Sequence, residues 1–187
     1  MVEIRDPYTK AEIIDNLRMV NDRLTDYFSS LPPEVFFAHP PGVWSPAENV
    51  EHLILAITPR IEMLLGQRET LKEQYGLADK PSRHYAEIRE TYRNILANGG
   101  AAGPSVMPDV DDHPEDPKAS QEELLRRWKQ VSGAIVEAAE HWTEVDLDAL
   151  RVEHRLLGLL TVRELLLWMT YHNLHHMEDA RRLVEGQ

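Results

Sequence analysis

The feature of this sequence that most constrains its fold is a helix-start signal that occurs four times. Each time, a Ser or Thr stands three residues before a Glu and directly precedes apolar residues at helical spacing. In such a capping box, the hydroxyl and the carboxylate bond to backbone N–H groups that the first turn leaves free. The four pairs are Thr9 with Glu12, Ser45 with Glu48, Ser120 with Glu123, and Thr161 with Glu164. Together they predict four helices.

The four predicted helices are long and amphipathic. The first runs from about Lys10 to Ser29, and the third runs from Ser120 to about Trp142. The second begins after Ser45 with a proline at its first position, where the missing N–H costs nothing. The fourth covers residues 161–184. Four amphipathic helices of about 20 residues each predict an all-α protein that folds as a four-helix bundle.

The segment from about residue 68 to residue 118 is less regular, and we interpret it as an insertion. Within it, residues 81–96 carry enough apolar periodicity for one short helix. Residues 109–117 are acidic and rich in turn formers, and they lack the spacing of a calcium-binding loop, so they predict a solvated loop. The connection from helix 2 to helix 3 is therefore a long crossover. Residues 146–160 are predicted to be a connector, and residues 1–187 to form a single domain.

The composition excludes several classes of function. The chain has 32 Asp and Glu against 20 Lys and Arg, a formal charge of −12, which disfavours nucleic acid as a partner. It has no cysteine, which excludes disulfides, cysteine-ligated zinc and a cysteine nucleophile. No apolar stretch is long enough to span a membrane, and the N-terminus at Met1 lacks the apolar core of a secretory signal. We therefore expect a cytoplasmic protein.

The fourth helix carries histidines inside its apolar stripe. One narrow face holds Leu165, Trp168, Met169, His172, His176 and Leu183. Because His172 and His176 are four residues apart, both imidazoles can hold one ion. Such pairs also occur by chance, but burying imidazoles among apolar side chains is costly unless they are bonded or coordinated. Asp179 is predicted to lie on the same face, and His175 on its flank, so we rank His175 below His176 as a ligand.

A metal site in a bundle needs ligands from facing helices. Among the remaining histidines, only His52 lies in the middle of a predicted helix with apolar neighbours, so elimination makes it the best third ligand. It points away from the main apolar stripe of helix 2, which requires that helix to be buried on two sides. Glu48 and Asp179 are candidates for a general base or for a group that orients a ligand. For Glu48, the role of a capping acid is the preferred interpretation. Trp44 and Trp168 are interpreted as core rather than as pocket walls.

Three stretches resemble the DinB-like (YfiT-like) family. They are Trp44-Ser45 followed by His52-Leu53, the connector with its continuation at residues 153–167, and residues 171–182. The insertion at 68–118 matches this family poorly, and many relatives have Gln where this chain has Asp179. The resemblance implies a four-helix bundle and a divalent metal ion, often nickel or zinc. Carried over residue by residue, the ligands it implies are His52, His172 and His176.

Three functions follow as hypotheses. Three imidazoles leave coordination positions free for water or substrate, and a divalent ion lowers the pKa of a coordinated water or thiol. Relatives include thiol-dependent S-transferases and isomerases, so the resemblance implies a metal-dependent S-transferase that joins a low-molecular-weight thiol to a small electrophile. The alternatives are a metal-dependent hydrolase and a non-catalytic metal-binding or interaction protein. A small-molecule substrate is expected as the partner, and a homodimer is left open.

Overall fold

A computed structural model describes residues 6–186 of the chain. The prediction that no secretory signal is present rests mainly on residues 1–5, which lie outside this range. The helices are α1 Lys10–Ser30, α2 Pro33–Phe37, α3 Pro46–Leu65, α4 Arg68–Tyr75, α5 Tyr85–Ala97, α6 Pro117–Glu140, α7 Glu144–Ala149 and α8 Val162–Glu185. The strands are β1 Arg151–His154 and β2 Gly158–Thr161, and a 3₁₀ turn spans Pro104–Val106. No helix within residues 6–186 combines the length and apolarity that a membrane crossing requires.

Helices α1, α3, α6 and α8 form the predicted four-helix bundle. Helix α1 packs against α6 and α8, and α3 packs against the same two helices, which closes the ring. The apolar stripe of α1 is buried along its whole length, as its periodicity predicts: Ile13, Leu17, Val20, Leu24 and Phe28. The prediction of an all-α fold is confirmed, with one short β-hairpin as the exception.

Three of the four predicted capping boxes are present, at Thr9, Ser45 and Thr161. The one predicted at Ser120 is wrong. Helix α6 begins at Pro117, and the Asp116 side chain accepts a hydrogen bond of 3.0 Å from the Ala119 backbone N–H. Asp followed by Pro is the stronger start, because the carboxylate caps free N–H groups and the proline needs no acceptor.

Helix α3 is buried on two sides, as the placement of His52 requires. The main stripe around Val50 and Leu53 faces the core, and His52 is also buried, with 4% of its surface exposed. The helix continues through Pro59 to Leu65. The side that carries His52 faces α8, which brings the predicted ligands of the two helices together.

The long connection between α3 and α6 is more ordered than the sequence predicts. The helix predicted at residues 81–96 is confirmed as α5, but α4 contradicts the prediction of an irregular segment at 68–80. Helix α4 buries only Leu71, so its sequence carries almost no apolar periodicity. Helix α5 packs on α8, and the 3₁₀ turn packs on α3. The connection therefore covers the gap between α3 and α8.

Residues 146–160, predicted as a connector, hold most of α7 and a β-hairpin. Strands β1 and β2 pair antiparallel from Arg151 opposite Thr161 to His154 opposite Gly158. Gly158 has a φ of +72°, a conformation that residues with a Cβ adopt at a cost. Residues 155–157 form the hairpin tip, which lies at the same end of the α3–α8 gap as α5.

Candidate metal centre

Three imidazoles meet between helices α3 and α8. Nε2 of His172 lies 3.2 Å from Nε2 of His52 and 3.2 Å from Nε2 of His176. The rings come from two facing helices, and only 4%, 2% and 7% of His52, His172 and His176 are exposed. The structure thus brings together the three residues that the sequence suggested as ligands, with one ring nitrogen of each pointing at a common centre.

Two of these rings have their protonation fixed by oxygen acceptors. Nδ1 of His52 lies 2.7 Å from the carbonyl oxygen of Val106, which only accepts, so Nδ1 carries the proton. Nδ1 of His176 donates likewise to the side-chain oxygen of Asn49 at 2.7 Å. The amide nitrogen of Asn49 donates to the carbonyl of Ser45 at 2.9 Å, which settles the amide orientation. Both Nε2 atoms therefore present lone pairs to the centre.

The ring of His172 cannot donate a hydrogen bond to the Nε2 lone pairs of both His52 and His176. His172 has one Nε2 atom, which can donate a proton to His52 or to His176 but not to both. Its Nδ1 atom is buried and has no partner within residues 6–186. Buried polar atoms in native proteins are nearly always satisfied, so the cluster is incomplete as three imidazoles alone. A divalent cation at the shared point would accept the lone pairs of all three Nε2 atoms, with the proton of His172 on Nδ1, and three histidine nitrogens are a donor set that zinc and nickel accept.

The electrostatics of the cluster keep the rings neutral. Burial is the largest cause that lowers the pKa of His52, His172 and His176, and the neighbouring imidazoles lower the last two further. Neutral imidazole is the form that binds metal, so no proton has to leave at neutral pH.

Neither carboxylate candidate reaches this centre. The Glu48 carboxylate accepts a 2.7 Å hydrogen bond from the Ser45 backbone N–H, so its preferred role as a capping acid is confirmed. The sequence predicts that Asp179 shares the face of His172 and His176. This prediction is wrong, because the Asp179 carboxylate points away from these two rings. The carboxylate lies 3.3 Å from Nε2 of His175 and also pairs with Arg182. His175 itself lies on the flank, as the helix periodicity predicts.

A cavity of about 340 Å³ opens onto the three histidines. Trp44 and Trp168 line it, which corrects the interpretation of both as core alone. Trp168 stacks on His172 with ring centroids 4.5 Å apart, and the Trp44 ring lies 4.9 Å from His52. Within residues 6–186, no Asp or Glu lines the cavity. The cavity is thus a largely aromatic and apolar chamber with nitrogen donors in its walls.

Four residues of this site are not among the candidates that the sequence suggests. Asn49 orients His176, and Val106 orients His52. Tyr92 and His154 line the cavity next to these rings: the Tyr92 ring meets the His172 ring edge-on with centroids 6.2 Å apart, and His154 lies on Trp168. An asparagine inside an apolar helix was a usable signal for Asn49, because Asn disfavours helices unless its side chain is bonded. The backbone carbonyl of Val106 gives no such signal.

Comparison with known proteins gives a family match that includes the residues of the metal centre. A family model described as the DinB superfamily matches residues 16–180, which include all three histidines and Asn49. No curated protein matches the chain.

Proposed function

The chain belongs to the DinB superfamily, and from that premise we propose that it is a metal-dependent enzyme. It holds one divalent ion, nickel or zinc, through His52, His172 and His176. The observation that carries this proposal is the convergence of three Nε2 atoms at 3.2 Å, with more lone pairs than protons available between them. When bound, the ion supplies Lewis-acid chemistry that lowers the pKa of a coordinated water or thiol.

The chain's own residues prepare the site for this chemistry. Val106 and Asn49 hold two rings by their Nδ1–H groups, which fixes the direction of both Nε2 lone pairs. The Trp44 and Trp168 rings pack against His52 and His172 and shield that part of the cavity from water, and a low local dielectric strengthens charge interactions inside it. The remaining open side leaves room for a small substrate.

We propose an S-transferase that uses a low-molecular-weight thiol to attack a small electrophile. A hydrolase at this site would depend on the ion to lower the pKa of a bound water, because the two carboxylate candidates for taking its proton, Glu48 and Asp179, lie outside the cavity. A thiol has a much lower pKa than water and depends less on such a base. The lack of carboxylates in the lining therefore favours the transferase over the hydrolase. Cytoplasmic location stays a prediction.

The test begins with elemental analysis of protein purified without a histidine tag, where about one ion per chain is expected. Turnover is then measured with thiol plus electrophile and with a panel of esters and amides, using His172→Ala as the control. Thiol-dependent turnover that His172→Ala abolishes supports the proposal. Ester hydrolysis without thiol supports the hydrolase instead. A chain that binds no divalent ion contradicts the metal centre and favours the non-catalytic alternative.

A further inference from the structure

The cavity has a second polar end, which Trp168 and Ala56 separate from the three histidines. Arg60 follows His52 by eight residues on α3, which places it two turns, or about 12 Å, further along the helix axis. Ala56 lies between them in the cavity wall. The hairpin tip brings His154 and Arg155 to this same end. Arg60, His154 and Arg155 therefore lie together at an end of the cavity where the proposed metal chemistry gives them no role.

His154 is held as a neutral hydrogen-bond donor. Its Nδ1 atom accepts from the backbone N–H groups of Leu156 and Leu157 at 3.2 and 3.1 Å. The proton of the neutral ring must then be on Nε2, which has no acceptor within residues 6–186. Burial, together with the nearby charges of Arg60 and Arg155, lowers the pKa of His154 to about 4. The ring is buried beside the cavity, and no side chain or carbonyl of residues 6–186 accepts from its Nε2–H.

The two arginines at this end have no acidic partner among the described residues. Arg60 donates to the carbonyl oxygen of Glu153 at 3.3 Å, while its Nε atom is buried without a partner. Arg155 donates to the carbonyl oxygen of Ala101 at 2.7 Å. A guanidinium has five N–H donors, so most of those on both residues are unused. In a chain with 12 more acidic than basic residues, two such arginines beside one cavity require an explanation.

The position of Arg155 depends on close approach to the backbone. A Cβ on Gly103 would lie 2.9 Å from Nε of Arg155, so the glycine leaves room for the guanidinium to rest on the 101–103 segment. The exposed arginine is thus held against the 101–103 segment at the cavity mouth. Because no Asp or Glu of residues 6–186 lines the cavity, an incoming anion meets guanidinium and imidazole donors at this end without a competing carboxylate.

We propose that Arg60, His154 and Arg155 bind the oxyanion group of a small organic anion whose apolar body lies between Trp168 and Leu96. This rests on the proposed function, because the opposite end of the substrate then lies at the three histidines. It adds the substrate class: an aromatic or aliphatic molecule with a carboxylate or phosphate at one end. Guanidinium groups recognise both anions through paired hydrogen bonds.

Binding of defined probes to the metal-loaded protein tests this. Phenylacetate and phenyl phosphate are titrated against neutral phenylacetamide by calorimetry, with tryptophan fluorescence as a second readout. At least one anion should bind roughly tenfold or more tighter than the amide. Arg60→Gln and Arg155→Gln should each abolish that preference, whereas Arg60→Lys should restore part of it. The control is Arg126→Gln, a surface arginine paired with Glu123 that should leave the preference unchanged.

The result separates this inference from the metal proposal because metal content is measured in every variant. Equal binding of anion and amide by metal-loaded protein overturns the anion site and leaves the metal centre standing. Anion binding that His172→Ala removes and Arg155→Gln retains shows that the anion binds at the metal, which also overturns the site. Arg155 is exposed, so its variant is expected to fold and remains informative if Arg60→Gln does not fold.

Discussion

At the scale of single residues, the pKa and the hydrogen bonding of a histidine depend on what surrounds its ring. His172 is buried and faces other imidazoles, which lowers its pKa, whereas His39 lies 3.2 Å from Asp112, which raises its pKa. His175 pairs with Asp179 beside the cavity, and His154 is held by backbone N–H groups. The partner of each ring nitrogen, more than its place in the sequence, decides whether a histidine is available to a metal.

Removal of a ligand should distinguish His175 from its neighbours. We expect His172→Ala and His176→Ala each to abolish stoichiometric binding of zinc or nickel, because each removes one of three converging Nε2 atoms. His175→Ala should weaken binding far less, since that ring bonds to Asp179. Metal content after dialysis measures the difference. Equal losses from all three substitutions would show that His175 belongs to the donor set.

His52 is the ligand whose assignment depended most on elimination. We expect His52→Ala to lower metal affinity by at least roughly tenfold, about 1.4 kcal/mol, and to flatten its dependence on pH, because fewer protons compete with the ion. The metal-free variant should stay folded. Competition with a chelating dye at several pH values gives both quantities. An unchanged affinity in a folded variant would remove His52 from the centre.

Asn49 provides a test of ligand orientation. Its side-chain oxygen holds Nδ1 of His176, so Asn49→Ala leaves that ring free to rotate and its N–H without an acceptor. Loss of such an orienting partner typically weakens metal binding 10- to 100-fold. We expect about tenfold here, measured by the same competition assay. Asn49→Asp keeps an acceptor and should restore most of the affinity; failure to do so would argue against orientation as the cause.

At the scale of elements, helix ends and one hairpin determine what the helices present to the cavity. Helix α8 starts at a capping box, and the Glu164 carboxylate of that box also binds the guanidinium of Arg83 at 2.9 Å. That contact ties the connection before α5 to the start of α8. The hairpin between α7 and α8 then places His154 beside Trp168, with ring centroids 4.3 Å apart.

The start of α6 gives a prediction with a matched control. The Asp116 carboxylate accepts from the Ala119 N–H, so Asp116→Ala should lower the free energy of unfolding by about 1 kcal/mol. Ser120 was the capping residue suggested by the sequence, but it lies inside the helix. Ser120→Ala should therefore change stability by less than about 0.5 kcal/mol. Urea unfolding at neutral pH compares the two, and a larger loss from Ser120→Ala would restore the original capping box.

At the scale of the whole molecule, the buried histidines make stability depend on pH. Their pKa values in the folded chain lie below the ordinary value of 6.5, and that of His154 is about 4. Between these pH values the unfolded chain binds protons that the folded chain does not bind. The contribution of these histidines to stability is therefore fully present above pH 6.5 and is lost as the pH falls from 6.5 towards 4.

We expect the metal-free protein to show this loss directly. Urea midpoints measured with a chelator present should fall between pH 7 and pH 5. His154→Asn should lose less over the same interval, because its side-chain oxygen still accepts from the hairpin N–H groups but takes up no proton. A variant whose midpoint falls as steeply as that of the wild type would exclude His154 as a source of the pH dependence.

The sequence by itself determined the four bundle helices, most of their ends and the metal-ligand candidates His172 and His176. These features are local: a capping box, a stripe at helical spacing, or a pair of histidines four residues apart is complete within one helix. For the same reason, His172 and His176 were assigned from periodicity, while His52 on another helix was reached by elimination. Helix α4 was missed because it buries only Leu71, and the hairpin was missed because each of its strands has only four residues, too few for a clear alternating pattern.

Only the tertiary structure decided what surrounds the three histidines. It placed the Glu48 and Asp179 carboxylates outside the cavity. The Glu48 carboxylate binds a backbone N–H, and the Asp179 carboxylate binds His175. The tertiary structure also brought Val106 to His52, across 54 positions of the chain, and Arg155 to Ala101 at the cavity mouth. A contact between residues far apart in sequence depends on how helices pack and loops fold back, and no spacing within one segment encodes it.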